Sequence, residues 1–286
     1  MLKRLQLERI HTVLLDSVIA KADVQTIFDR LYEVTNLPAI CFVAVVTGAG
    51  TGLGQQYALA LAKQGAKVAL LGRRIEKLNI TAKMIEDIGG EAYPVTCDVT
   101  VPSQVEAARD AVIARWGKVD ILVNNAGGGI AGPIDQLSPE DWATNRALDF
   151  DGVFYCMHFF CQPMLEQGYG RVINIASILG KGGLPELPIV GYTACKGGVI
   201  NMTRHAAAEW AKTGVTCNAI CPGFFASEAN SPEAMEAMNG FITARTPMGR
   251  PGRAGELDTT VVFLAAHESS YVTGSIVSCD GGWTAV

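Results

Sequence analysis

The chain has 286 residues, 49% of them hydrophobic, which is enough to bury one large core as a single α/β domain or as one domain with an appendage. A formal net charge of -5 leaves no basic excess, which argues against nucleic acid or an anionic membrane as the partner and favours a small-molecule ligand. Eight cysteines (Cys41, Cys97, Cys156, Cys161, Cys195, Cys217, Cys221, Cys279) lie scattered in apolar or helix-like contexts, without the density of a secreted disulfide scaffold.

They read as reduced thiols of a cytoplasmic protein. Cys217 and Cys221 have no second Cys or His pair at ligand spacing, so no structural zinc is expected. No apolar run is long enough to span a bilayer, and the first residues lack an apolar core with a small-residue cleavage site.

From Met1 to about Phe42 the pattern is helical, with Ile10, Val13, Leu14 and Val18 on one stripe and Val24, Ile27, Phe28, Leu31 and Val34 on another. Asn36-Leu37-Pro38 ends it, and Asp16, Asp23, Asp29 and Glu33 speak against a mitochondrial presequence. Residues 1–40 are therefore expected to form a helical extension without catalytic residues, ahead of a main domain over residues 41–286. The extension is either an amphipathic hairpin packed on the body or on a neighbouring subunit, or a segment apart from the fold.

Cys41 to Val46 is a β-branched run that leads into Thr47-Gly48-Ala49-Gly50-Thr51-Gly52-Leu53-Gly54 and then a helical pattern through Tyr57 and Leu59 to Ala62. Strand, glycine turn and helix together form the geometry in which backbone amides and a helix dipole hold a pyrophosphate. Gly48, Gly50, Thr51, Gly52 and Leu53 are thus candidate cofactor-binding residues, although the glycine spacing differs from the common G-x-G-x-x-G. A second strand, Lys67 to Leu71, ends in Gly72-Arg73-Arg74. An acid at the Gly72 position would bond an adenosine 2′-hydroxyl, whereas arginine beside it suits a 2′-phosphate, so NADP(H) is expected over NAD(H).

The rhythm continues with a strand over Ala92 to Thr96 before Cys97-Asp98-Val99, a helix from about Ser103 to Trp116, and a strand Ile121-Leu122-Val123 before Asn124-Asn125-Ala126-Gly127. Such alternation predicts a parallel sheet with helices on both faces, and ligands of such sheets sit outside the carboxyl ends of the strands. Asp98 and the Asn124–Gly127 turn fall at those ends; for Asp98, capping of the following helix is the alternative. Further on, Tyr192 and Lys196 stand four residues apart at the head of a long helical pattern, which puts both on one face. A neighbouring ammonium favours the phenolate form, which makes Tyr192 a candidate general acid and base.

Taken together, Thr47-Gly48-x-x-x-Gly52-x-Gly54, Asn124-Asn125-Ala126-Gly127, Ser177 after a strand Arg171 to Ala176, Tyr192-x-x-x-Lys196, Pro222-Gly223 and Asp280-Gly281-Gly282 resemble the short-chain dehydrogenase/reductase family from about Val43 to the C-terminus. The resemblance implies one Rossmann-like domain, a doubly wound parallel sheet in an α/β/α sandwich. It implies an oxidoreductase that moves a hydride between NADP(H) and a carbonyl or secondary alcohol. In that reading Tyr192 exchanges a proton with the substrate oxygen, Ser177 bonds it, and Lys196 holds the nicotinamide ribose. Asp98 and Val99 border the adenine, Asn125 with Ala126 and Gly127 the ribose side, and Phe225 and Ser227 the nicotinamide end. A homo-oligomer, tetramer or dimer, pairing through the helices after Asp141 and Tyr192, follows from the same resemblance.

Two features depart from the family pattern. Asp149 stands where the family usually has an asparagine that holds a water beside the lysine; a carboxylate can accept from that water but has no amide to donate, and its charge offsets the lysine's. Ser177 and Tyr192 are further apart than is usual, so Lys181 to Pro188 should form a longer loop lining the substrate pocket. Phe224 to Pro247, with Met235, Met238, Phe241 and then Met248, resembles the family's mobile lid, or else supplies ordinary helix-pair contacts. The Ile173–Ser177 strand end and the Asp280-Gly281-Gly282-Trp283 close resemble the sugar, polyol and gluconate dehydrogenase branch, which suggests a sugar, polyol or keto acid. The alternative from another class is a nucleotide-binding regulatory or structural protein on the same fold, its turnover weakened by Asp149.

Overall fold

In this computed structural model, which describes residues 42–225 and 236–286, seven parallel strands form one sheet. They are β1 (Val43–Thr47), β2 (Lys67–Gly72), β3 (Ala92–Thr96), β4 (Ile121–Asn124), β5 (Gly170–Ile175), β6 (Val215–Pro222) and β7 (Ile276–Cys279). Their spatial order is β3-β2-β1-β4-β5-β6-β7. The helices are α1 (Gly52–Lys63), α2 (Ile75–Asp87), α3 (Pro102–Trp116), α4 (Pro139–Arg146), α5 (Gly152–Gln167), α6 (Val190–Glu209), α7 (Asn239–Arg245) and α8 (Asp258–Ala265). Among the described residues no helix is long and apolar enough to cross a membrane. The expected extension over residues 1–40, Ser227 and Met235 lie outside the described residues.

Side chains alternate across a strand, and here both faces are buried, so the inner strands are apolar throughout. Val43 and Val45 of β1 pack with Val112 of α3, Phe160 of α5 and Val199 of α6. Ala44 and Val46 face the other way, into Tyr57 and Leu61 of α1, Leu78 and Ile85 of α2 and Val261 of α8. Pro94, which cannot donate to a ladder, falls on β3 at the sheet edge.

Strand limits move by about one residue from those the sequence suggests. β5 runs Gly170–Ile175, and Asn124 closes β4 instead of opening the turn, because β4 pairs with β5 as far as Asn124 opposite Asn174. The Asn124 side chain is buried and donates to Asn174 Oδ1 at 2.9 Å. The described cysteines carry free thiols, most of them buried. Burial pushes the Cys217 thiol up to about 12, so it packs as an inert small side chain.

One irregularity bears on the site. Ser138 caps α4, accepting from Asp141 N at 3.0 Å, but α4 does not run straight into α5. Between them Ala147–Asp151 forms a turn of π-helix, the wider winding that places an extra residue in a helix and recurs at functional sites. Asp149 is the middle residue of that turn and is fully buried.

Candidate active site

The strand order reverses direction between β1 and β4, and a cavity of about 420 Å³ opens along the carboxyl edge on both sides of that point. Its wall follows the strands in order: Arg73 and Arg74 after β2, Cys97 to Val99 after β3, the glycine turn after β1, Asn125 to Gly129 after β4, Ser177 to Leu179 after β5, and Gly223 to Phe225 after β6. Tyr192 and Lys196 enter from α6. The described sequence candidates are therefore brought together around one space, with Asp149 immediately behind it.

The glycine turn is built for a close approach. Gly48 and Gly52 have φ of 64° and 55°, a region that side chains other than glycine's rarely adopt. A Cβ on Gly54 would sit 2.2 Å from the Gly48 carbonyl oxygen, so only glycine lets α1 start this close to β1. The residue ahead of α1, Thr51, makes no side-chain cap bond. The first-turn amides of α1 and its positive dipole end are thus left for an anion.

Other residues stitch this cradle in place. Thr47 Oγ1 accepts from the amides of Asn125 and Ala126, each at 2.9 Å, and Asn125 Nδ2 donates back to the Thr47 carbonyl at 3.0 Å. The Asn125 amide therefore serves the turn itself. Thr81, buried on α2, donates to the Ala49 carbonyl at 2.9 Å and fixes the turn from below. Asp98 does not cap α3, whose cap residue is Val101. Its carboxylate instead accepts from Thr100 N at 3.0 Å and Thr100 Oγ1 at 2.8 Å, closing the turn ahead of the helix. Lys77, one turn along α2 from Arg73, joins Arg73 and Arg74 on the rim, so three cations surround this end of the cavity. A pyrophosphate cradle, amides with no side-chain cap and a cationic rim fit a phosphorylated dinucleotide.

In the other half, α6 places the phenol and the ammonium on one face, with Lys196 Nζ 5.5 Å from the centre of the Tyr192 ring. Ser177 is nearly buried and its Oγ accepts from Leu179 N at 3.1 Å. That bond orients the hydroxyl and leaves its own proton to be donated. Lys196 Nζ donates to the Ile175 carbonyl at 3.0 Å and lies 3.3 Å from Asp149 Oδ1. Asp149 Oδ1 also accepts from Gly128 N at 3.2 Å, while Oδ2 is buried without a hydrogen-bond partner. A Cβ on Gly127 would come within 2.7 Å of that carboxylate, so the Asn-Asn-Ala-Gly turn ends in glycine for a steric reason.

The departure at Asp149 is thus a buried ion pair with Lys196. Burial is the largest single influence and works to lower the pKa of the ammonium, but the Asp149 carboxylate, Tyr192 and Cys195 together outweigh it and the Lys196 pKa ends above its ordinary value. Burial raises the Asp149 pKa against the opposing pull of Lys196 and the Gly128 amide. Next to this pair, buried Asn145 holds the loop over the site, accepting from Ile130 N at 2.7 Å and donating to the Ile130 carbonyl at 3.1 Å. A Cβ on Gly191 would lie 2.2 Å from Asn145 Nδ2, so the residue before Tyr192 must be glycine for α6 to pack there. Asn145, Thr81 and Lys77 escaped the sequence reading; for Lys77 the four-residue spacing from Arg73 was a usable signal.

A sheet of this order, with a phosphate cradle at its switch point and a tyrosine–lysine pair across the same cavity, defines a nucleotide-dependent oxidoreductase. The chain belongs to the short-chain dehydrogenase/reductase family: a family model described as enoyl-(acyl carrier protein) reductase matches residues 48–284. It is a dehydrogenase/reductase of that family acting on CH–OH groups with a nicotinamide cofactor. It is 36% identical over 242 residues to gluconate 5-dehydrogenase of Gluconobacter oxydans (strain 621H), covering 84% of this chain and 94% of that protein. To 2-dehydro-3-deoxy-D-gluconate 5-dehydrogenase of Escherichia coli (strain K12) it is 38% identical over 245 residues, covering 85% and 95%. The crystal structure of a gluconate 5-dehydrogenase from Burkholderia cenocepacia J2315 in complex with NADP and tartrate superposes with a TM-score of 0.81 at 36% identity, covering 86% of this chain and 96% of that one.

Proposed function

We propose that the protein is an NADP(H)-linked oxidoreductase that interconverts a carbonyl and a secondary alcohol, with Ser177, Tyr192 and Lys196 as its catalytic residues and Asp149 as the group that positions Lys196. The observation that carries this reading is that Ser177, Tyr192 and Lys196 line the same cavity as the glycine turn and Arg73. The cation rim of Arg73, Arg74 and Lys77, with Gly72 where an acid would select an unphosphorylated ribose, supports NADP(H) over NAD(H). Relatives are named for gluconate and a keto derivative of it, so a sugar acid belongs in the substrate panel beside uncharged ketones and alcohols.

The bound nicotinamide supplies or accepts the hydride. The protein's own part is to manage the charge that develops on the carbonyl oxygen. Ser177, with its oxygen occupied by Leu179 N, donates its proton toward that oxygen. Tyr192 delivers the proton that completes the alcohol and takes it back in the reverse direction. Lys196 holds positive charge beside the phenol, and its bonds to Ile175 and Asp149 keep it from swinging away. Trp142 and Phe154, on α4 and α5, are 41% and 50% exposed, which supports a second copy of the chain packing on these helices.

Fluorescence titration with NADPH and NADH, followed by absorbance at the nicotinamide band with a panel of ketoses, keto acids and simple ketones, tests the reading. It expects tighter NADPH than NADH binding and oxidation of NADPH by at least one carbonyl. NADPH binding by a folded protein that reduces no member of the panel would overturn it.

A further inference from the structure

The half of the cavity that follows β5 and β6 has a different chemistry from the half that follows β1 to β3. Leu148 of the π-turn, Leu179 after Ser177, Leu187 and Ile189 of the loop ahead of α6, and Phe224 after β6 line it. Leu148, Leu187, Ile189 and Phe224 are partly buried and pack against the core cluster that contains Leu179 and Leu184. Backbone bonds hold the loop in this position: Leu187 N to the Leu184 carbonyl at 3.1 Å, Ile189 N to the Leu187 carbonyl at 2.9 Å, and Gly132 N to the Pro188 carbonyl at 2.6 Å.

Among the described residues that line the cavity, the cations lie at the other end or are neutralised. Arg73, Arg74 and Lys77 lie at the glycine-turn end, and Lys196 is committed to Asp149 and Ile175. Of the nearby cations, Lys181 lies on the far side of Leu179, lining with Trp283 and Thr284 a neighbouring hollow, where it donates to Ser278 Oγ at 2.5 Å. Arg245 pairs with both carboxylate oxygens of Glu186, at 3.0 and 3.2 Å. A polyhydroxy acid against the wall that these described residues form would strand its carboxylate and several hydroxyls, and each unpaired hydroxyl costs roughly tenfold in affinity.

Resting on the oxidoreductase reading above, we infer that the substrate is an uncharged, largely apolar ketone or its secondary alcohol, alicyclic or aryl, selected by Leu148, Leu179, Leu187, Ile189 and Phe224. Its carbonyl reaches Ser177 and Tyr192 while its hydrocarbon body replaces water on the leucine wall. Sugar acids, the compounds named for several relatives, are then poor substrates for this chain.

The full chain with saturating NADPH is assayed against 4-methylcyclohexanone and 1-tetralone on one side and 5-keto-D-gluconate on the other. The expected result is a kcat/KM for at least one apolar ketone about a hundredfold above that for the keto acid. Leu187→Ser should raise KM for that ketone roughly tenfold, with kcat changing far less, and NADPH titration serves as the folding control. Should that variant fail to fold, Ile189→Thr on the same wall gives the same reading. Keto acid turnover that equals or exceeds ketone turnover overturns the substrate inference and leaves the oxidoreductase reading standing. NADPH binding with no carbonyl reduced at all overturns both.

Discussion

Replacing Asp149 separates two roles that its carboxylate combines, charge partner and hydrogen-bond acceptor. At the 3.3 Å between Lys196 Nζ and Asp149 Oδ1, two unit charges attract by about 5 kcal/mol at an effective dielectric constant of about 20. Asp149→Asn forfeits that attraction but also removes the cost of burying a carboxylate, which is of similar size. The asparagine oxygen still accepts from Gly128 N and Lys196, so the variant should lie within about 2 kcal/mol of the parent in stability. Its rate should match the parent's or exceed it, because the offset to the Lys196 charge is gone. Asp149→Leu takes the acceptor away from both donors and leaves a buried ammonium facing hydrocarbon, which costs about 3–5 kcal/mol and lowers Tm by roughly 10 °C. Urea unfolding and thermal melts measure the first quantity, and NADPH turnover the second. If asparagine proves as damaging as leucine, the charge itself holds the lysine; if neither matters, the contact does not carry the site. A large fall in rate for Asp149→Asn alone would show that the carboxylate has chemistry of its own.

The same group predicts a pH dependence of stability. Because burial raises the Asp149 pKa, the folded chain binds that proton more readily than the unfolded chain does. The parent should therefore gain stability relative to Asp149→Asn as pH falls from the folded value toward the ordinary carboxylate pKa of about 3.9. Urea series at several pH values read the difference, and the opposite slope would mean that Lys196 and the Gly128 amide win over burial. Tyr192→Phe should cut turnover by about a hundredfold or more while NADPH affinity by fluorescence changes little; parent-like activity would remove the phenol from its role. Arg73→Ala should weaken NADPH roughly tenfold and NADH hardly at all, and equal losses would mean that the 2′-phosphate is read elsewhere. Gly54→Ala, whose Cβ would sit 2.2 Å from the Gly48 carbonyl, should cost about 1–3 kcal/mol and loosen NADPH; unchanged affinity would take the cofactor off this turn.

What could be read from the chain is what short-range rules govern. Short apolar, β-branched runs ending in glycine or asparagine turns delivered the strands and the glycine turn, and four-residue spacing the Tyr192–Lys196 face, since these depend on neighbours in sequence. The missed residues act across the fold. Thr81 supports Ala49 from a different helix, and Asn145 matters through Ile130 and Gly191. No local signal separates them from ordinary helix polar residues. The π-turn at Ala147–Asp151 has no local mark in the sequence; in the fold it packs against α6 and joins α4 to α5. Asp149 stood out only against the family pattern, which usually has asparagine there, and its pairing with the lysine needed three-dimensional contact to decide.

The ion pair and the leucine wall bear on the same question of what enters the site. A bare Lys196 would place a buried positive charge beside the substrate oxygen and draw acids toward it. With Asp149 at 3.3 Å the pair is close to neutral beyond its own dimensions, since opposite charges that near largely cancel at the distance of a ligand's far end. The positive potential that remains in the cavity belongs to the end that follows β2, where Arg73 and Lys77 lie. On the substrate proposal, anion binding belongs to the phosphate half, and the half lined by Leu148, Leu179 and Leu187 discriminates by shape and apolar contact. On the same proposal, the carboxylate that weakens the lysine's field is part of how the site would turn acids away.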